Sequence, residues 1–122
     1  MPTKHDIRNK EDIELMMRTF YGSLLANESI NPVFANTDFE AHMPHMIAFW
    51  SFVLLDEEGY KTNVFEKHLH LDIKQEHFAI WLHHFMKTVD DLFEGEKADL
   101  AKQRAQTIAY TFEMKLKQMG RI

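Results

Sequence analysis

The chain has 122 residues, of which 45% are hydrophobic and 27% charged, with eight histidines and no cysteine. That length suits one domain over residues 1–122, and the missing cysteines exclude disulfide scaffolds, thiolate zinc sites, iron–sulfur clusters and cysteine nucleophiles, leaving metal or proton chemistry to His, Asp, Glu and Tyr. A formal charge of −5 disfavours nucleic acid, and a polar start with no apolar run of roughly 18 residues predicts no membrane span and a cytoplasmic protein.

Helical periodicity runs through most of the sequence. Asn9, with Asp12 three residues on, predicts an N-cap, and Ile13, Met16, Met17, Phe20, Tyr21 and Leu24 trace one face of a first helix that ends near Asn27, before Pro32. Thr37 and Glu40 read as a T-x-x-E capping box for a second helix with apolar positions at Phe39, Met43, Met46, Ile47, Trp50, Val53 and Leu54. Pro44 lies inside it and predicts a kink or an irregular first turn between Ala41 and Pro44. Residues Asp56 to Ile73 show little sustained period, and long loops of that kind are usually functional or disordered. Asp72 and Gln75 suggest a further cap, followed by Phe78, Trp81, Leu82, Phe85, Val89 and Leu92, with Gly95 as the stop. A last helix is expected from Glu96 to Met119, with Gly120 just past its end. The fold class is all-α.

The sequence contains no H-E-x-x-H, P-loop, G-x-S-x-G or paired Glu-x-x-His motif. The histidines remain. His42 and His45, three apart on a helix, form at most a two-ligand metal motif. His83 and His84 diverge on a helix, and they, with His5 and His77, read as solvent-facing. His68 differs, because it sits in the aperiodic segment. His42, Met46, Phe49 and Val53 form one strip, while Tyr21 and Trp81 are bulky rings whose O–H and N–H seek partners when buried. Such a set suits a flat apolar cofactor carrying one metal; the competing reading makes Tyr21 and Trp81 ordinary core aromatics.

Taken in order, Phe20-Tyr21, Asn31-Pro32-Val33-Phe34, HMPHMIAFW from His42 to Trp50, Tyr60, Lys67-His68, Phe78, Trp81-Leu82 and Arg104-Ala105 resemble the group III truncated haemoglobins. The resemblance implies a truncated globin fold, two helix pairs crossed over haem b (iron protoporphyrin IX), with a proximal segment of about one turn in the aperiodic stretch. It implies His68 as the iron ligand and metal site, Phe34, Met46, Phe49, Tyr60, Lys67, Phe78 and Trp81 as haem-binding positions, and Tyr21, His42 and Trp81 as distal groups that stabilise a bound ligand. Phe20 and Trp50 fall in the pocket or the adjoining core. The chain departs from the family's Y-x-G-x-P pattern, with Thr62 and Val64 at the Gly and Pro positions. The glycine pairs of other truncated globin groups are missing, in keeping with group III.

Reversible binding of dioxygen, nitric oxide, carbon monoxide or peroxide follows from the resemblance. Nitric-oxide dioxygenase or peroxidase-like activity, with an unidentified reductase, fits better than bulk transport. Two other readings stay open: a non-haem helical module that binds a metal or a partner protein, and an electron-transfer haem protein with His42 as sixth ligand.

Overall fold

The computed structural model describes residues 4–56 and 73–122. Helix α1 (Lys10–Leu25) starts as its sequence predicts, with Asn9 in an extended conformation and its Oδ1 accepting from Asp12 N–H at 2.9 Å. Glu11 and Asp12 place negative charge in the first turn, where the helix dipole favours it. The predicted apolar face, Ile13 to Leu24, is the buried face.

A single 3₁₀ turn (Asn31–Phe34) leads into α2 (Phe39–Leu55). The cap of α2 is Asp38, and not Thr37 as the capping box suggests: the Asp38 carboxylate accepts from Ala41 N–H at 3.2 Å, while Thr37 N–H closes the preceding turn on Phe34 O at 3.0 Å. The helix also runs unbroken through Pro44, and its first turn is regular, with His42 N–H on Asp38 O at 3.0 Å. A proline there removes one internal donor, the one that would meet the carbonyl of exposed Glu40, where water can substitute.

Helix α3 (Gln75–Leu92) is preceded by Lys74 as N-cap, one residue before the Gln75 of the expected cap, whose Asp72 lies outside the described residues. His77 Nδ1 reaches back to accept from Lys74 N–H at 2.9 Å, taking the part that a glutamate plays in a capping box. Helix α4 (Glu96–Gln118) begins at Gly95, which has no side chain to cap it. Asp6 does so instead, its Oδ2 accepting from Lys97 N–H and its Oδ1 from Ala98 N–H, both at 2.9 Å. Gly95 has φ +144°, and a Cβ there would come within 2.6 Å of Asp6 Cγ, so this position requires glycine twice over.

The helices form two antiparallel pairs, α1 with α2 and α3 with α4, and the pairs stack so that α1 meets α3 and α2 meets α4. The described residues contain no strand, and the all-α, two-over-two expectation holds. The aromatic centre is Phe85, fully buried. It stacks on Trp50 at 4.9 Å and on Trp81 at 5.6 Å and meets the edge of Phe20 at 5.3 Å. Such contacts add about 0.5–1.5 kcal/mol per pair beyond area burial. Ala98, Ala101 and Ala105 are buried on α4, where small side chains let the helices approach closely. No described helix is long and apolar enough to cross a membrane.

Candidate functional site

The described residues form a cavity at one end of the sandwich. The C-terminal half of α1, the 3₁₀ turn, the first two-thirds of α2, the first half of α3 and the second half of α4 surround it. Helical spacing explains which side chains arrive there. On α2, His42, His45, Met46 and Phe49 stand at i, i+3, i+4 and i+7; on α3, His77 and Trp81 are one turn apart with Phe78 between; on α4, Ile108 and Phe112 are one turn apart. Phe34 comes from the 3₁₀ turn and Met17 and Tyr21 from α1. No Lys, Arg, Asp or Glu lies among the described lining residues. The walls are thus apolar and aromatic, with polar atoms only at Tyr21, Trp81 and three imidazoles.

Tyr21 is the best-held of these polar groups. It is 8% exposed, and its ring packs against Phe20 at 4.7 Å, Phe39 at 5.1 Å and Phe34 at 6.5 Å. The Trp81 side chain hydrogen-bonds to it, the indole N–H donating and the Tyr21 hydroxyl accepting. Burial pushes the Tyr21 phenol far up from its ordinary value, and the Trp81 hydrogen bond pulls it back only in part. Tyr21 therefore keeps its proton at any physiological pH. Tyr21 and Trp81 thus line the cavity as a bonded pair.

Of the residues singled out in the sequence, Tyr21, Phe34, His42, Met46, Phe49, Phe78 and Trp81 all line this cavity, as does Trp50. His68, Tyr60 and Lys67 lie outside the described residues. Phe20 is fully buried behind the wall rather than in it, and Val53, expected on the His42 strip, packs half-buried against the core. His42 and His45 do approach, with ring centroids 6.4 Å apart. Among the described residues, however, no group of three or more His, Cys, Asp or Glu side chains is placed to hold a metal.

Two histidines read as solvent-facing, His77 and His84, need correction, and His45 belongs with them as a wall residue. His45 lines the mouth, and His77 is half-buried in the cavity wall. Because His77 Nδ1 accepts from the Lys74 N–H, a neutral His77 carries its proton on Nε2. The signal for both was available in spacing, three residues from His42 and four from Trp81. His84 is half-buried between α1 and α3, bonded to Ser23 and Asn27. Ile108, Ala109 and Phe112 were legible only as a core face, because periodicity does not distinguish a core from a cavity wall.

No protein-family model matches the chain. It is 31% identical over 124 aligned positions to the Group 3 truncated hemoglobin ctb of Campylobacter jejuni, an alignment that covers 96% of this chain and 98% of that protein. The crystal structure of the group III truncated hemoglobin from Campylobacter jejuni superposes with a TM-score of 0.83 at 31% identity, over 93% of this chain and 95% of that one.

Proposed function

Because the chain belongs to the group III truncated haemoglobins and is a globin-type haem-binding protein, we propose that the cavity holds haem b and that the protein binds diatomic ligands there reversibly. The lining fits such a guest: flat aromatic faces from Phe34, Phe49, Phe78 and Phe112, aliphatic walls from Met17, Met46 and Ile108, and no charged side chain among the described residues that would have to be stripped of water. When bound, haem would supply an iron that takes one protein ligand and one dioxygen, nitric oxide, carbon monoxide or peroxide molecule. His68 is the protein ligand in this proposal, on the strength of the Lys67-His68 match to the family; Tyr60 and Lys67 are proposed beside it.

The observation that carries the ligand chemistry is the buried Tyr21–Trp81 pair. Tyr21 presents one O–H to the cavity, held in place by three aromatic rings and by the Trp81 N–H. A proton so placed stabilises a guest that gathers negative charge and does little for a weakly polar one. His42, half-buried on the same wall, adds an imidazole within the lining. A retentive, polar distal side suits nitric-oxide or peroxide chemistry with electrons from a reductase, and is poorly suited to bulk oxygen transport.

An absorption spectrum of the purified protein tests the cofactor: an intense Soret band is expected, and a colourless protein that hemin does not reconstitute overturns the reading in favour of a non-haem helical module. His68→Gly is expected to lose its iron coordination and regain it with free imidazole. An unaltered spectrum in that variant removes His68 from the site.

A further inference from the structure

Outside the cavity, one cluster of side chains has no part in the chemistry above. His84 on α3 lies between two residues of the C-terminal end of α1, with its Nδ1 2.8 Å from Ser23 Oγ and its Nε2 3.0 Å from Asn27 Nδ2. The direction of these bonds follows from a fourth group. Ser29 N–H donates to Asn27 Oδ1 at 2.9 Å, which fixes the amide with its NH₂ toward the imidazole. Nε2 is therefore an acceptor. In a neutral ring the proton must then sit on Nδ1, from which it is donated to Ser23 Oγ. Both ring nitrogens are satisfied, but only in the neutral Nδ1–H form.

Protonation places an N–H on Nε2 directly opposite an N–H of Asn27. The amide cannot turn to accept it without giving up the Ser29 N–H. Ser23 lies two residues after Tyr21, and His84 lies three residues, nearly one turn, after Trp81. The residues that follow Asn27, Ile30, Val33 and Phe34, are cavity wall. We propose that His84 is a positioning residue for the Tyr21–Trp81 pair and a pH-sensitive latch, holding α1 to α3 while neutral and releasing them when its ring is protonated.

The surroundings agree. From α1 the facing side chains, Ser23 and Asn27, carry no charge, and the titratable group acting on the ring is His83, next to it on α3. Burial, and then the neighbouring His83, hold the His84 imidazole below its ordinary value of 6.5. The sign follows: the folded state resists protonation more than the unfolded chain does. The latch contributes fully above about pH 6.5, and its contribution falls as pH drops toward the lowered folded value. His42, His45 and His77 line the same cavity as the Tyr21–Trp81 pair, so a test must separate them from His84.

Nitrogen-15 NMR of the histidine rings and of the Trp81 indole N–H provides it, between pH 7.5 and 5, on the protein as purified. The carbonmonoxy form is used where haem is present, and a colourless preparation is run as it is, so that failure of haem binding is distinguished from failure of the latch. The expected result is His84 in the Nδ1–H form at pH 7.5, titrating below 6.5, with the Trp81 resonance moving at the same midpoint. His84→Gln should remove that movement, whereas Asn27→Asp, which gives Nε2–H a carboxylate to bond, should raise the midpoint by about one pH unit or more. An Nε2–H tautomer at pH 7.5, a Trp81 resonance that does not titrate, movement that survives in His84→Gln, or an unshifted midpoint in Asn27→Asp overturns the proposal.

Discussion

The two ends of the helical sandwich are built from the same kinds of residue to opposite purposes. At one end the chain's early segment straps across the α3–α4 turn: Glu94 N–H donates to His5 O, Lys4 Nζ reaches Asp90 O, and Asp6 caps α4. Lys97 Nζ bonds the last-turn carbonyl of Leu54 on α2 at 2.8 Å, and Ile7, Val89 and Phe93 are almost completely buried there. Every helix terminus at that end finds a partner. At the other end Phe34, Phe49 and Phe78 are only partly buried among the described residues and line the cavity. Aromatic side chains thus close one end and line a cavity at the other. Burial alone is therefore a poor guide to function here, and partial burial of large rings around a void is the better one.

The contrast can be tested by substitution. Phe85→Ala, in the sealed core, should cost about 3–5 kcal/mol in urea unfolding, because three ring contacts are lost and the close-packed site collapses poorly. Phe49→Ala, at the cavity, should cost the protein stripped of haem about 1 kcal/mol or less and yet speed haem transfer to an apomyoglobin acceptor; equal losses of stability would erase the distinction between the ends. Tyr21→Phe should accelerate dioxygen release about ten- to a hundredfold in stopped flow, since a hydrogen bond to a charged acceptor is worth roughly 1.5–3 kcal/mol, with carbon monoxide release little altered. Gly95→Ala should lower stability by about 1–3 kcal/mol through its positive φ and the collision with Asp6, measurable as a fall in Tm, while the spectrum of the haem stays unchanged.

A smaller loss than that of Gly95→Ala is expected from Asp6→Asn, about 1 kcal/mol at neutral pH. Burial pushes the Asp6 carboxyl up, but the N–H groups of Lys97, Ala98 and Ile7 and the Lys97 charge together outweigh it and hold the group below its ordinary 3.8. A carboxyl depressed in the folded state stabilises above the unfolded value and loses that contribution as pH falls through the folded one. The Tm difference between Asp6→Asn and the parent should accordingly shrink below about pH 4.

Much of this architecture is legible in the sequence, and the rest is not for identifiable reasons. The Asn9 cap, the buried face of α1 and the strip His42, Met46, Phe49 follow from local spacing, which sequence displays directly. Asp38 displaces Thr37 because a carboxylate one residue later meets the helix N–H of Ala41, a competition between neighbours that spacing alone does not decide. Asp6 is invisible as a cap because its partners lie 91 and 92 residues away. His84 was misread for a similar reason: adjacency to His83 says that the two rings diverge, but not that Ser23 and Asn27 wait across the helix interface. The cavity end was legible only in part, since the periodicity that marks Ile108 and Phe112 as inward-facing is the same for a wall and a core.

The Asp6 cap has a consequence for how the chain is made. Synthesis proceeds from the N-terminus, and a helix that begins at Glu96 is made 90 residues after Asp6. Asp6 must wait for that moment, since its acceptor role is empty until Lys97 and Ala98 exist. A contact that spans 91 residues also raises the loop-closure cost of the folding transition. The sandwich is therefore expected to close only once the start of α4 has been made, with Asp6 among the last residues to find its place.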